Sequence, residues 1–182
     1  ISFSQLPSAE YEGTKENKTL VFNPSKNKAL DELLGKDNWS IKVEFIIDKF
    51  QRGWRNIFAR GNSNYERSPC LWIYPNNSWK LHFRLRTNRS WNSGYDFLIP
   101  SKFRKYGTKL ILNIDYIKYT NEQNWRRSGF ILNVSINGVY VGTGNLINHQ
   151  YKNLPNRKSP LVLFQVLNFS GKPCRADIQF VP

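Results

Sequence analysis

Between Trp54 and Arg86 the chain carries three short strand patterns separated by Gly, Asn and Pro. The last of them, Lys80 to Arg86, alternates strictly. Leu81, Phe83 and Leu85 fall on one side, while Lys80, His82, Arg84 and Arg86 fall on the other. A strand has a side-chain period of two, so such a segment must bury one face and expose the other. Trp72 and Tyr74 alternate with Leu71 and Ile73 on the preceding pattern. If the two strands are neighbours, indole, phenol, imidazole and guanidinium groups share one surface.

The same reading extends along the chain. Residues 39–48 alternate with Ile41, Val43, Phe45 and Ile47 on one face, and Ser40, Lys42, Glu44 and Asp48 on the other. Further strands are expected at 20–22, 56–60, 70–74, 80–86, 96–99, 109–116, 130–136, 139–141, 161–167 and 176–181. Asn137-Gly138 is a type I′ hairpin signal. A helical turn is expected at 29–34, ended by Gly35. Residues 120–128 and 143–159 read as surface loops. Many short strands, scarce helix and no fixed-period repeat predict an all-β antiparallel sandwich or barrel. A length of 182 residues suits one domain, 1–182, around a single core.

Composition narrows the function classes. No run is long and apolar enough for a membrane-spanning helix. The net charge of +14 favours an anionic partner, or serves solubility alone. The chain has no methionine, not even at position 1, so it is expected to be a processed product or a fragment, and the missing leader does not argue for the cytoplasm. Cys70 and Cys174 are the only cysteines; they form either one disulfide or two buried thiols. No metal-ligand spacing joins them to His82 or His149, and neither metal nor cofactor is expected. Six Asn-x-Ser/Thr sequons, at Asn17, Asn38, Asn76, Asn88, Asn133 and Asn168, exceed the roughly two or three that chance supplies. They point to an extracellular, cell-surface or virion setting.

The strand order resembles the concanavalin A-like lectin/glucanase superfamily, in particular laminin G-like jelly-roll domains. Trp39-Ser40-Ile41-Lys42-Val43-Glu44-Phe45, the three strands from Asn56 to Arg84, and Val134-Ser135-Ile136-Asn137-Gly138-Val139-Tyr140-Val141-Gly142 carry the likeness. It spans residues 38–181 and implies a two-sheet jelly-roll sandwich. It leaves function open, because that superfamily includes lectins, adhesion modules, glycosidases, polysaccharide lyases and virion proteins. The acidic ligands of its calcium-binding members and the acidic trio of its glycosidases have no counterpart here. Glu44 and Asp48 read as a solvated strand face.

Two groups are candidates for ligand contact. Trp72, Tyr74, His82, Arg84 and Arg86 combine aromatic faces for sugar stacking with cations for carboxylate or sulfate. Trp54, Arg55, Asn62, Asn64, Arg67 and Trp91 sit in loops with suitable donors and acceptors, although turn chemistry alone would account for several of them. The favoured role is non-catalytic binding of a glycan, an anionic one, or of an acidic surface. One alternative is a polysaccharide lyase acting by β-elimination on a uronate polymer. Arg84 or Arg86 would neutralise the carboxylate, His82 or a lysine would be the base, and Tyr74 or Tyr95 the acid. Another is a structural component of a virion or extracellular assembly. Single-stranded nucleic acid is disfavoured, because no oligonucleotide-binding signature is present.

Overall fold

The structure, a computed structural model, describes residues 30–50, 52–60, 65–152, 161–163 and 176–181. Its strands are β1 (Asn38–Ile46), β2 (Arg55–Arg60), β3 (Cys70–Ile73), β4 (Lys80–Leu85), β5 (Ser93–Leu98), β6 (Lys109–Tyr119), β7 (Gly129–Ile136), β8 (Val139–Ile147), β9 (Leu161–Leu163) and β10 (Ala176–Val181). They form two antiparallel five-stranded sheets, ordered β10-β1-β6-β7-β8 and β5-β4-β3-β2-β9. The expected all-β, two-sheet antiparallel jelly-roll sandwich is the observed fold.

Alternation decides which residues meet between the sheets. Trp39, Ile41, Val43 and Phe45 of β1, Leu110, Leu112, Ile114 and Tyr116 of β6, and Phe130, Leu132, Val134 and Ile136 of β7 point inward from the first sheet. Phe58, Leu71, Ile73, Leu81, Phe83, Leu85 and Phe97 answer from the second. The two inner faces make one apolar core, as the period of two requires. The short helix over residues 30–34 adds Leu30, Leu33 and Leu34 to it. It ends where the Gly35 amide donates to the Asp31 carbonyl at 3.0 Å, as the sequence leads one to expect.

The outer faces differ. That of the first sheet is polar and solvated, with Lys42 and Lys109 holding Glu44 at 3.0 and 2.6 Å. On the second sheet β2 and β3 are buried on both sides. A small cluster of Ala59, Cys70 and Trp72, edged by Trp54, lies on the side away from the main core. An antiparallel sheet usually leaves one face wet, so this covered outer face calls for an explanation.

Several boundaries depart from the sequence reading. β5 begins at Ser93 rather than Asp96, because Ser93 and Gly94 carry no apolar signal yet pair with Leu85 and Arg84. β6 runs on to Tyr119, and residues 143–147 continue β8 instead of forming a loop. Gly142 and Gly144 make this possible, since the Tyr95 ring and stem occupy the space a side chain would need there. Asn137 and Gly138 have φ of 48° and 76°, the backbone of the expected hairpin turn. The expected strand at 20–22 lies outside the described residues.

Phe83 is fully buried between the sheets. Phe83→Ala is expected to lower unfolding stability by about 3–5 kcal/mol, measured by urea denaturation, because it removes a ring from a packed core. A loss under about 1 kcal/mol would mean that this core is loose.

Candidate functional site

Register on the second sheet brings the site together. Trp72 of β3 faces His82 of β4, which faces Asp96 of β5. One step along, Cys70 faces Arg84, which faces Gly94. Tyr74 follows β3, and its amide donates to the Lys80 carbonyl at 2.9 Å. By parity Trp72, Tyr74, Lys80, His82, Arg84 and Asp96 share the outer face, opposite Leu71, Ile73, Leu81, Phe83 and Phe97.

Asp96 is the hub of this face. The Tyr74 hydroxyl donates to Oδ2 at 2.7 Å. His82 Nδ1 lies 2.7 Å from Oδ1, and an Arg84 terminal nitrogen lies 2.8 Å from the same oxygen. The Lys80 ammonium stands 3.7 Å from Oδ2 and 4.6 Å from the centre of the Tyr74 ring. Arg84 also donates to the Phe83 carbonyl at 2.8 Å. Its buried Nε meets no acceptor among the described residues.

These contacts set the protonation states. Burial, reinforced by the Arg84 charge, pushes the His82 imidazole down to about 4, despite the opposing pull of Asp96. The neutral ring therefore carries its proton on Nδ1, where the carboxylate accepts it, and Nε2 has no hydrogen-bond partner among the described residues. Burial and the hydrogen bond to Asp96 push the Tyr74 phenol up to about 12, which keeps it a donor. For Asp96 itself, burial is outweighed by the Tyr74 hydrogen bond and the Arg84 charge, so its carboxyl stays below the usual range.

Aromatic groups flank the hub. The Trp54 ring lies 4.1 Å from Tyr74 and 5.0 Å from His82, centre to centre. On the other side the Arg67 guanidinium sits between Trp72 at 4.5 Å and Trp91 at 4.7 Å, and donates to the Asn92 side-chain oxygen. Tyr65 meets Trp91 edge-on at 5.1 Å. Trp91 and Tyr65 are exposed, whereas Trp72 is only 5% exposed and offers no free ring face.

The structure thus brings together Trp54, Tyr74, Trp72, His82, Arg84, Arg67 and Trp91 from the sequence-derived groups. Arg86 sits beyond the end of β4, half-buried, with its amide tied to the Arg67 carbonyl. Two placements correct the expectation. Arg55 is buried in β2, with its guanidinium 2.9 Å from Asp48 and 2.7 Å from the Lys49 carbonyl, so it is not a loop ligand. This pairing also ties Asp48 into the structure. Tyr95 pairs with Phe83 and packs toward β8, on the opposite face of the sheet from His82, so it is no partner acid. Asn62 and Asn64 lie outside the described residues.

Asp96 and Tyr65 fall outside the candidate groups that the sequence offers. The signal for Asp96 is its parity with His82, hidden because the turn-like Ser93-Gly94 opens the strand three residues ahead of Asp96. Asn38, Asn76 and Asn88 are exposed, while Asn133 is half-buried and accepts from Thr143 at 2.6 Å. Asn17 and Asn168 lie outside the described residues. Cys70 is buried, burial pushes its thiol up to about 12, and its proposed mate Cys174 lies outside the described residues. Among the described residues no His/Cys/Asp/Glu group is arranged to hold a metal, and no helix is long and apolar enough to cross a membrane.

The depressed His82 value has a pH consequence. The unfolded chain protonates this imidazole below about 6.5, whereas the fold resists until about 4. Stability that is present above pH 6.5 is therefore lost as pH falls toward 4, and Asp96 adds to the loss at still lower pH. An NMR titration is expected to place the His82 midpoint near 4; a midpoint near the ordinary histidine value would contradict the arrangement.

No protein-family profile matches the chain, and no curated protein matches it in sequence. Similar solved structures include NanB in a structure described as NanB plus Optactamide, at 13% identity and a TM-score of 0.51. They also include a point mutant of NanB sialidase from Streptococcus pneumoniae, at 12% identity and a TM-score of 0.51. Each match covers 91% of this chain but only 25% of the NanB chain, so this chain spans about a quarter of that protein's length. The alginate lyase Aly36B aligns more loosely, at 14% identity over 80% of this chain and 67% of its own, with a TM-score of 0.36. At such identities the likeness to NanB is one of fold, a β-sandwich found in a carbohydrate-active protein.

Proposed function

We propose that this chain is a non-catalytic glycan-binding module of the concanavalin A-like, laminin G-like type. It takes an acidic saccharide, or an acidic surface, on the outer face of β2 to β5. The observation that carries this reading is the covered outer face: Trp54, Tyr74, Lys80, His82 and Arg84 are gathered around one carboxylate on a sheet face that would ordinarily be wet. Half-buried Trp54 and Tyr74 present ring surface for sugar C–H groups, and His82 Nε2 is an acceptor for a hydroxyl. Lys80 and the neighbouring Arg67 supply positive charge toward a carboxylate or sulfate. The net charge of +14 draws anions from a distance, and the sequons suit an extracellular, cell-surface or virion location.

A lyase has a specific observation in its favour, the Asp96–His82–Tyr74 cluster, in which a carboxylate orients an imidazole beside a phenol. In β-elimination the base would take the C5 proton, the electron pair would form the C4–C5 double bond, and the acid would protonate the departing glycosidic oxygen. The electrostatics favour binding instead. An imidazole held near 4 is a weak base, Arg84 is already engaged by Asp96, and the Tyr74 proton is committed to the same carboxylate.

Titration calorimetry with uronate oligosaccharides at physiological salt tests this. Tyr74→Ala is expected to weaken binding about tenfold, equivalent to ~1.4 kcal/mol, without generating unsaturated product. Ultraviolet absorbance that rises with the wild type and not with His82→Ala would establish the lyase. Binding equally lost for every polyanion on modest salt addition would reduce the site to general charge attraction.

A further inference from the structure

A second concavity lies away from the hub and shares no residue with it. It has a volume of about 470 Å³, within the range of small-molecule sites. Its walls come from the segment after the 30–34 helix, the end of β6, the 120–128 loop, the start of β7 and the residues after β8. Tyr116 and Tyr151 form part of the lining, and each contributes to the ring stack that includes Trp39. The Lys118–Asp37 pair at 2.7 Å closes one side with no net charge.

The rim is more telling. Trp125 is 63% exposed, although a large ring gains most from burial. The loop that carries it is firmly braced. Asn121 accepts from the Gln123 and Asn124 amides at 3.1 and 2.9 Å, and Asn124 accepts from the Arg126 amide at 3.1 Å. Ser128 accepts from the Asn121 amide at 2.8 Å, and its own amide donates to the Trp125 carbonyl at 3.0 Å. An apolar ring held out on a rigid turn is pre-organised for contact.

Gln150 and His149 line the same cleft. His149 Nδ1 lies 2.9 Å from the Ile147 carbonyl, which only accepts, so Nδ1 carries the proton and Nε2 is the nitrogen offered to a ligand. Lys36 is exposed and has no ion pair among the described residues.

We propose that this cleft is a second saccharide-binding site. The Trp125 ring stacks on a pyranose face, while Gln150, His149 and Lys36 meet hydroxyls or one acidic substituent. The mixture of donors and acceptors around a ring is what hydroxyl-rich ligands need. A phosphate track would require several unpaired cations along the wall, and of the two lysines that line the cleft Lys118 is neutralised by Asp37, while Arg126 and Arg127 lie outside the lining and Arg126 stands 5.5 Å over the Trp125 ring. With two sites the module would bind branched or clustered glycans with an avidity that neither site supplies alone.

The test is NMR of ¹⁵N-labelled indole groups in the whole protein. A uronate tetrasaccharide, chitotriose and oligothymidylate are titrated separately. The Trp125 resonance is expected to shift saturably with one of the saccharides. Trp125→Ala, at an exposed position, is expected to remain folded and to abolish that binding phase, and Gln150→Ala to weaken it several-fold. The Trp54 resonance reports the hub face independently, so either site can fail alone. No saturable Trp125 shift with either saccharide, or a shift with oligothymidylate only, would overturn the proposal.

Discussion

One carboxylate organises the outer face of the second sheet. Asp96 accepts from a phenol and an imidazole, faces a guanidinium at 2.8 Å and lies near an ammonium at 3.7 Å. Cations on a half-buried face need a counter-charge close by, because desolvation otherwise drives them to neutralise or turn outward. Burial lowers the proton affinity of Arg84 and of His82, and Asp96 opposes both effects. It therefore allows a basic strand to lie flat against aromatic rings instead of projecting into solvent.

The two sheets show what this costs and what it permits. In the first sheet, alternation ends in water: Glu44 is shared by two lysines on an open surface, and exposed pairs of this kind add little stability. In the second, the same alternation places Cys70, Trp72, His82 and Arg84 under a cover of Trp54 and Arg67. Gly94, opposite Arg84, matters here, because the Phe83 carbonyl lies where a side chain at that position would begin. A face whose charged groups are held around one carboxylate and whose rings are partly open can receive a ligand with little rearrangement.

Much of this was legible in the chain because strand parity is local. The Ile41-Val43-Phe45 and Leu81-Phe83-Leu85 alternations specify which face is buried, and Asn137-Gly138 specifies a tight hairpin, without knowledge of partners. Parity within each strand, with the two strands taken as neighbours, puts Trp72, Tyr74, His82 and Arg84 on one wall. What parity does not contain is the neighbour. Asp96 joins the site only through the β4–β5 register, and its strand begins at Ser93-Gly94, which resembles a turn. Arg55 was read as a loop residue, yet it enters β2, where its buried guanidinium meets the exposed Asp48 carboxylate and the Lys49 carbonyl. The 120–128 segment looked like a plain polar loop, since a lattice of Asn and Ser hydrogen bonds leaves no periodic trace.

The covered face of the second sheet and the Trp125 cleft are chemically different. The first is basic and crowded around a fixed negative charge; the second is a ring-edged hollow with little net charge at its wall. A crystal structure of the protein grown with a uronate tetrasaccharide tests the central claim most directly. An intact sugar is expected against Trp54 and Tyr74, with its carboxylate toward Lys80 or Arg67. A cleaved, unsaturated product at His82, or a sugar absent from this face while bound elsewhere, would contradict it.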